Sequence, residues 1–273
     1  MAGSKELLDE LEVAPGSRLH LADRDPGERL GAANKSAGIE RLAELVSRLG
    51  PLHDRLAAEA KRAVLVVLQG MDASGKDGTI RHVLTGVNPQ GCRIVSFRQP
   101  TETELAHDYL WRVHAACPQR GEIGIFNRSH YEDVVAARVR GLVSDDVWQR
   151  RYVHIRGFER MLVDEGTTVL KFFLHVSEDE QRRRLQERLD NPAKRWKFSA
   201  EDLADRRHFA VFQTAYAEAI EQTSTAEAPW YVVPADHNWV RNLAVSEVLV
   251  ATLERLDPHF PAPTLGTEQI EIA

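Results

Sequence analysis

Cysteine is scarce, with only Cys92 and Cys117 among 273 residues. The two make no CxxC and no zinc set, so a disulfide framework and a structural zinc site are not expected. Two thiols without a leader read as reduced residues of a cytoplasmic protein. Long apolar runs are missing as well. The longest, Ala63–Leu68, has six residues, against about 20 for a membrane helix, so no membrane partner is expected. The first 30 residues hold no apolar leader core, so no secretory signal is expected. Ala2 rules out N-myristoylation. Glycine and proline sum to only 29 residues, which excludes wholesale disorder. What remains is an ordinary globular balance, 43% hydrophobic and 28% charged, with room for one large α/β domain or two small ones.

Positive charge is in deficit overall, since the chain carries −6. A general nucleic-acid binder is usually basic, so no nucleic-acid partner is expected. The charge is unevenly spread. Gln181–Lys197 holds seven basic and two acidic residues, a net +5 that leaves −11 on the remainder. One basic island on an acidic body suits a compact polyanion gripped at one place, although a solvated helix face would look the same.

Residues 1–35 are polar and rich in turn formers, and read as an irregular arm draped on the body. Ile39, Leu42, Leu45, Val46 and Leu49 recur at helical spacing, and Gly50-Pro51 is expected to break that helix and start the next. Five apolar segments fit buried parallel strands: 63–68, 93–97, 122–126, 168–176 and 230–233. Helical patterns separate them at 76–85, 102–116, 130–140, 145–165, 178–189 and 200–222, with a last helix at 238–256. The alternation predicts a three-layer, doubly wound α/β domain over 36–260 on a parallel five-stranded sheet. A C-terminal tail over 261–273 should run along the surface.

Directly after the first of these strands comes Gly70-x4-Gly75-Lys76, the phosphate-loop pattern. Backbone N–H groups over Gly70, Ala73, Ser74, Gly75, Lys76, Asp77 and Gly78 can wrap an oxyanion at a helix N-terminus. Lys76 supplies a point charge to the transferred group. The usual Ser or Thr after the lysine is replaced by Asp77. Two carboxylates, Asp72 and Asp77, beside a polyanion call for a cation between them. They are therefore read as magnesium ligands, direct or through water, although Asp77 could simply favour the first turn of the helix.

The strand ending at Phe126 runs into Asn127-Arg128-Ser129-His130-Tyr131-Glu132-Asp133. Such strand ends face the ligand crevice. Arg128 can fork onto phosphate oxygens, and Glu132 begins the next helix; the plainer alternative is an i, i+4 pair between them. His130 shows no acid partner and reads as structural rather than as a phosphorylated nucleophile. In the basic island, Arg182, Arg183, Arg184 and Arg188 lie on a helix that Asn191-Pro192 ends. Lys194, Arg195 and Lys197 surround Trp196. Such a segment, at about 178–200, reads as a lid closing over phosphates.

GMDASGKDGTI, FNRSHYEDV, DNPAKRWKF and APWYVVPADHNW, in this order and spacing, resemble the polyphosphate kinase 2 family. The resemblance covers roughly residues 15–260. It implies a P-loop kinase fold of the thymidylate-kinase type with a helical lid. It also implies reversible, magnesium-dependent phosphoryl transfer between inorganic polyphosphate and nucleotides, in a dimer or tetramer. Carried over by motif, Asp72, Lys76, Arg128 and Glu132 are the expected catalytic residues, with Asp77 and Glu132 beside Asp72 at the metal. Arg188, Lys194, Arg195 and Lys197 join the loop in binding phosphate. The pairing of Asn127 with Glu132 looks like the branch, called class III, that accepts both nucleoside mono- and diphosphates. Two other readings compete. One is an ATP-dependent nucleoside or nucleotide kinase on the same fold. The other is a phosphate-loop switch, which would want an NKxD base reader downstream; the one Asn-Lys pair, Asn34-Lys35, lies upstream.

Overall fold

Residues 2–263 are described by a computed structural model of the chain. In chain order its elements are α1 (Ala2–Leu11), β1 (Glu12–Val13), α2 (Lys35–Glu59), β2 (Ala63–Gln69), α3 (Lys76–Val83), β3 (Cys92–Ser96), α4 (Glu102–Leu105), α5 (Trp111–Ala116), β4 (Ile123–Asn127), α6 (Ala136–Val139), α7 (Asp145–Asp164), β5 (Thr167–His175), α8 (Glu178–Asp190), α9 (Ala200–Arg207), α10 (Phe209–Thr223), β6 (Trp230–Pro234) and α11 (Asn238–Leu256).

Strand β2 is buried along its whole length because both sheet faces are covered. Side chains alternate along a strand. Val64, Val66 and Leu68 therefore enter one core with α2, α3 and α11, while Leu65 and Val67 enter the other with α7 and α10. The strand order is β1-β6-β5-β2-β4-β3, and β2 pairs in parallel with β4 and β5. The three-layer α/β architecture is as expected from the alternation of segments.

The sheet has six strands rather than five. The extra strand, β1, pairs antiparallel with β6, Glu12 opposite Tyr231 and Val13 opposite Trp230. The arm is thus regular at its start, over α1 and β1, and irregular over 14–34 apart from a 3-10 turn at Leu21–Asp23. Leu7, Leu11, Val13, Leu19, Leu21 and Leu30 are all buried, anchors spaced too unevenly between turn residues to show a period. Nor does Gly50-Pro51 break the helix, since α2 runs through Pro51. An internal proline costs about 3 kcal/mol, but Leu45, Leu49, Leu52 and Leu56 continue one buried stripe across it, and burying such side chains contributes about 1.5–3 kcal/mol each.

Three other predicted helices are divided. The 102–116 segment forms α4 and α5; 130–140 forms a 3-10 turn, His130–Asp133, and then α6; 200–222 forms α9 and α10. The tail expected from 261 lies mostly beyond the described residues. No helix among the described residues is long and apolar enough to cross a membrane.

Candidate active site

The phosphate loop leaves β2 at Gly70 and enters α3 at Lys76. Gly75 stands at the helix start with φ of 106°, and Ala73 is left-handed at 65°. Those positive values curl the backbone around a small concavity. The Lys76 ammonium lies on the loop's own carbonyls, donating to Gly70 (2.6 Å) and Met71 (3.2 Å). Burial, aided by the nearby Arg128 charge, lowers its pKa to about 8. The Ser74 hydroxyl is buried with no partner among the described residues.

Strand β4 lies beside β2, so its end brings the second motif to the loop. Arg128 has φ of 60°, a conformation that a non-glycine residue adopts only when its surroundings hold it there. Its N–H donates to the Leu68 carbonyl at 3.0 Å. Its guanidinium pairs with Asp72, so the alternative of an Arg128–Glu132 ion pair is not what forms. Burial alone would raise the pKa of Asp72, but Arg128 and Lys76 together hold it below the ordinary carboxylate value. Glu132 is steered by Gln69 instead. With its amide turned to satisfy both ends, Gln69 donates to Glu132 Oε1 (3.0 Å) and accepts from the Ser129 N–H (3.0 Å). Asp72, Arg128 and Glu132 line one cleft with Asp205, Phe212 and Tyr216.

Asp77 sits apart, at the mouth. Its carboxylate accepts from Asn127 Nδ2 (2.8 Å) and from Lys197 Nζ (3.1 Å). These bonds and the charges of Lys197 and Lys76 outweigh burial and lower its pKa. Asp72, Asp77 and Glu132 thus do not converge as one set of three. Among the described residues no trio of His, Cys, Asp or Glu does so.

The basic island divides into two parts. Lys194 and Arg195 are exposed, and Lys197 reaches the loop through Asp77. Arg188 faces Asp202 of α9 at 3.7 Å. The helix arginines have other work. Arg183 is held by Glu180 and Glu187. Arg184 donates to the carbonyls of Ala73 (3.0 Å) and Ser74 (3.1 Å) on the loop, and to those of Ala235 (2.6 Å) and Asp236 (2.9 Å) after β6. It is a strut, not a free cation.

His130 has an acid neighbour after all, Glu159 Oε1 at 3.4 Å. That carboxylate is shared with Lys171 and Tyr131 inside the core. His130 is itself 1% exposed, packed in the core beside that carboxylate. Sequence reasoning missed Gln69, Asp202, Asp205, Phe212, Tyr216 and Arg241, and gave Arg184 to the lid rather than to the loop carbonyls it holds. Only Gln69 carried a signal, as the one polar residue closing an apolar strand.

The family model of polyphosphate kinase 2 matches residues 32–261. The AMP/ADP-polyphosphate phosphotransferase of Meiothermus ruber is 58% identical over 266 residues, covering 97% of this chain and 100% of the relative. The ADP-polyphosphate phosphotransferase of Rhodopseudomonas palustris is 46% identical over 237 residues, covering 82% of each chain. The crystal structure of polyphosphate kinase 2 from Arthrobacter aurescens TC1 superposes with a TM-score of 0.92 at 39% identity, covering 96% of this chain and 94% of that one. With the phosphate loop and second motif brought to one cleft on a shared fold, the chain belongs to the polyphosphate kinase 2 family.

Proposed function

We propose that the protein transfers the terminal phosphoryl group of inorganic polyphosphate to nucleoside mono- and diphosphates, AMP to ADP and ADP to ATP, reversibly and by direct in-line attack. One observation carries this reading: Gly70, Met71 and Asp72 of the loop line a single cleft with Arg128 of the second motif, while Lys76 bonds the Gly70 and Met71 carbonyls and Lys197 of the basic island pairs with Asp77. A terminal nucleotide phosphate oxygen is already anionic at neutral pH, so its attack needs no strong base. It needs two polyanions brought into line and their repulsion cancelled. Lys76 and Arg128 serve the transferred group. Lys194, Arg195 and Lys197 screen the chain behind it. Glu132, oriented by Gln69, discriminates between acceptors.

The residues present fit a magnesium ion held by few protein contacts. Asp72, kept anionic by Arg128 and Lys76, and Glu132 line the same cleft; Asp77, which sits apart, would act only through water. Magnesium keeps several waters and takes phosphate oxygens rather than a full protein cage, so one or two carboxylates are enough to hold it. When bound, it supplies charge neutralisation between donor and acceptor. The family resemblance further suggests a cytoplasmic dimer or tetramer.

The test is direct. Purified protein given ADP and polyphosphate, with no other donor, should form ATP, and AMP should give ADP. Transfer that proceeds only when ATP is the donor would favour an ATP-dependent nucleotide kinase, a reading that the relatives' names do not favour.

A further inference from the structure

Against the phosphate loop, and not among the residues that line the cleft, lies a guanidinium with no counter-charge among the described residues. Arg241, in the first turn of α11, is 2% exposed. Its Nη1 donates to the Ser74 carbonyl (3.2 Å) and to Asn238 Oδ1 (2.8 Å), and its Nη2 donates to Asn242 Oδ1 (3.1 Å). Its Nε has no partner. Every acceptor it meets is neutral. Arg184, by contrast, has Glu180 at 2.7 Å. The loop is moulded on Arg241, since a Cβ on Gly75 would stand 1.9 Å from Nη1 and one on Gly78 3.1 Å from Nη2.

Arg184 and Arg241 both grip the Ser74 carbonyl from outside. In a trans peptide the N–H points opposite to the C=O. Pulling the Ser74 oxygen outward therefore turns the Gly75 N–H inward, toward the concavity at the start of α3. A buried charge paired with no carboxylate is unfavourable, and a phosphate across the loop would answer it.

We propose that Arg241 is a positioning residue for phosphoryl transfer: it holds the Ser74–Gly75 peptide with its N–H toward the bound phosphate, and its own charge is balanced by the polyanion rather than by the protein. The inference deepens the reading of the loop as the phosphate site and rests on it. Burial, with Arg184 alongside, lowers the pKa of Arg241 to about 9, as expected of a cation waiting for its counter-charge.

The experiment compares wild type, Arg241→Met and Arg241→Lys by melting temperature with and without tripolyphosphate, and by kcat and KM for polyphosphate and ADP. Methionine removes the unbalanced charge, so the ligand-free melting temperature should hold or rise, while the rise induced by tripolyphosphate should fall to less than half that of wild type. Its kcat should drop at least about tenfold with the KM for ADP little changed, the pattern of a contact used in the transition state. Lysine should keep the tripolyphosphate response and still lose kcat, because it restores charge without the guanidinium's grip. If the methionine variant does not fold, the lysine variant decides: wild-type kcat, or a lost tripolyphosphate response, overturns the proposal. A methionine variant that melts lower yet responds to tripolyphosphate like wild type has lost only structure, and that outcome also overturns it. Wild type that does not respond to tripolyphosphate refutes the phosphate reading of the loop itself, and this inference with it.

Discussion

Lys171 Nζ and Glu159 Oε2 meet at 2.6 Å in the core, with the lysine 0% and the glutamate 2% exposed. Tyr131 and Thr223 complete the cluster, the Thr223 carbonyl accepting from Lys171 at 2.7 Å. Tyr131 belongs to the turn that carries Glu132, so the cluster ties α7 and β5 to the second motif. Removing one partner of such a pair leaves a stranded charge, which costs about 3–5 kcal/mol. Lys171→Met should therefore destabilise by that amount in urea unfolding. Lys171→Met with Glu159→Gln should recover part of it. A double variant worse than the sum of the singles would show that the pair is not the unit.

Lys76→Ala should lower turnover at least about 10²-fold with the fold intact, since a charge-stabilising contact in the transition state is lost. The pKa near 8 in the ligand-free protein adds a pH signature. The ammonium form dominates below that value and is lost as pH rises through it, so kcat/KM for polyphosphate should fall on the alkaline side of about 8. Bound polyanion raises the pKa of Lys76, so the matching limb in kcat should lie at higher pH. Lys76→Arg should carry no limb in this range, and a limb that persists in that variant would assign it to another group.

Replacing Lys194, Arg195 and Lys197 together by alanine should raise the KM for polyphosphate and flatten its salt dependence. Short and long chains should suffer alike if this segment works near the reacting end. A change confined to nucleotide affinity would assign these cations to the acceptor.

Glu132→Asn should cut phosphorylation of AMP much more than that of ADP. A monophosphate leaves a gap of one phosphate before the donor, and an acid that helps hold a hydrated cation can fill it. Arg128 pairs with Asp72 rather than with Glu132, so the substitution should leave that contact in place. Specificity constants for both acceptors on one preparation check this, and an unchanged ratio refutes it.

Where residues signal through local pattern, the sequence was readable. Strand β2 is a run of β-branched and aliphatic residues, and the loop's glycines follow it directly, so the loop between β2 and α3 and the parallel pairing of β2 could be placed from the residues alone. The arm could not, because six buried anchors scattered among turn residues have no period. Pro51 misled because its local preference is overruled by a stripe that only the packing against α11 reveals. Arg184 looked like one more cation of the island; its task depends on which helix face meets the loop. Arg241 left no trace, since nothing near it in sequence mentions phosphate.

The pairing of Glu12–Val13 with Trp230–Tyr231 joins opposite ends of the chain. A chain made from its N-terminus onward has nothing for β1 to pair with until β6 exists, and Val13, Leu19 and Leu21 pack in the same core as Trp230 and Val232. A segment made before β6 is thus among the last to settle. During that interval the outer rim of β6 is an open strand edge, the kind of surface on which unfinished chains join one another. The two residues of β1 cover Trp230 and Tyr231 of that rim, and their arrival shortens the edge open to other copies of the chain.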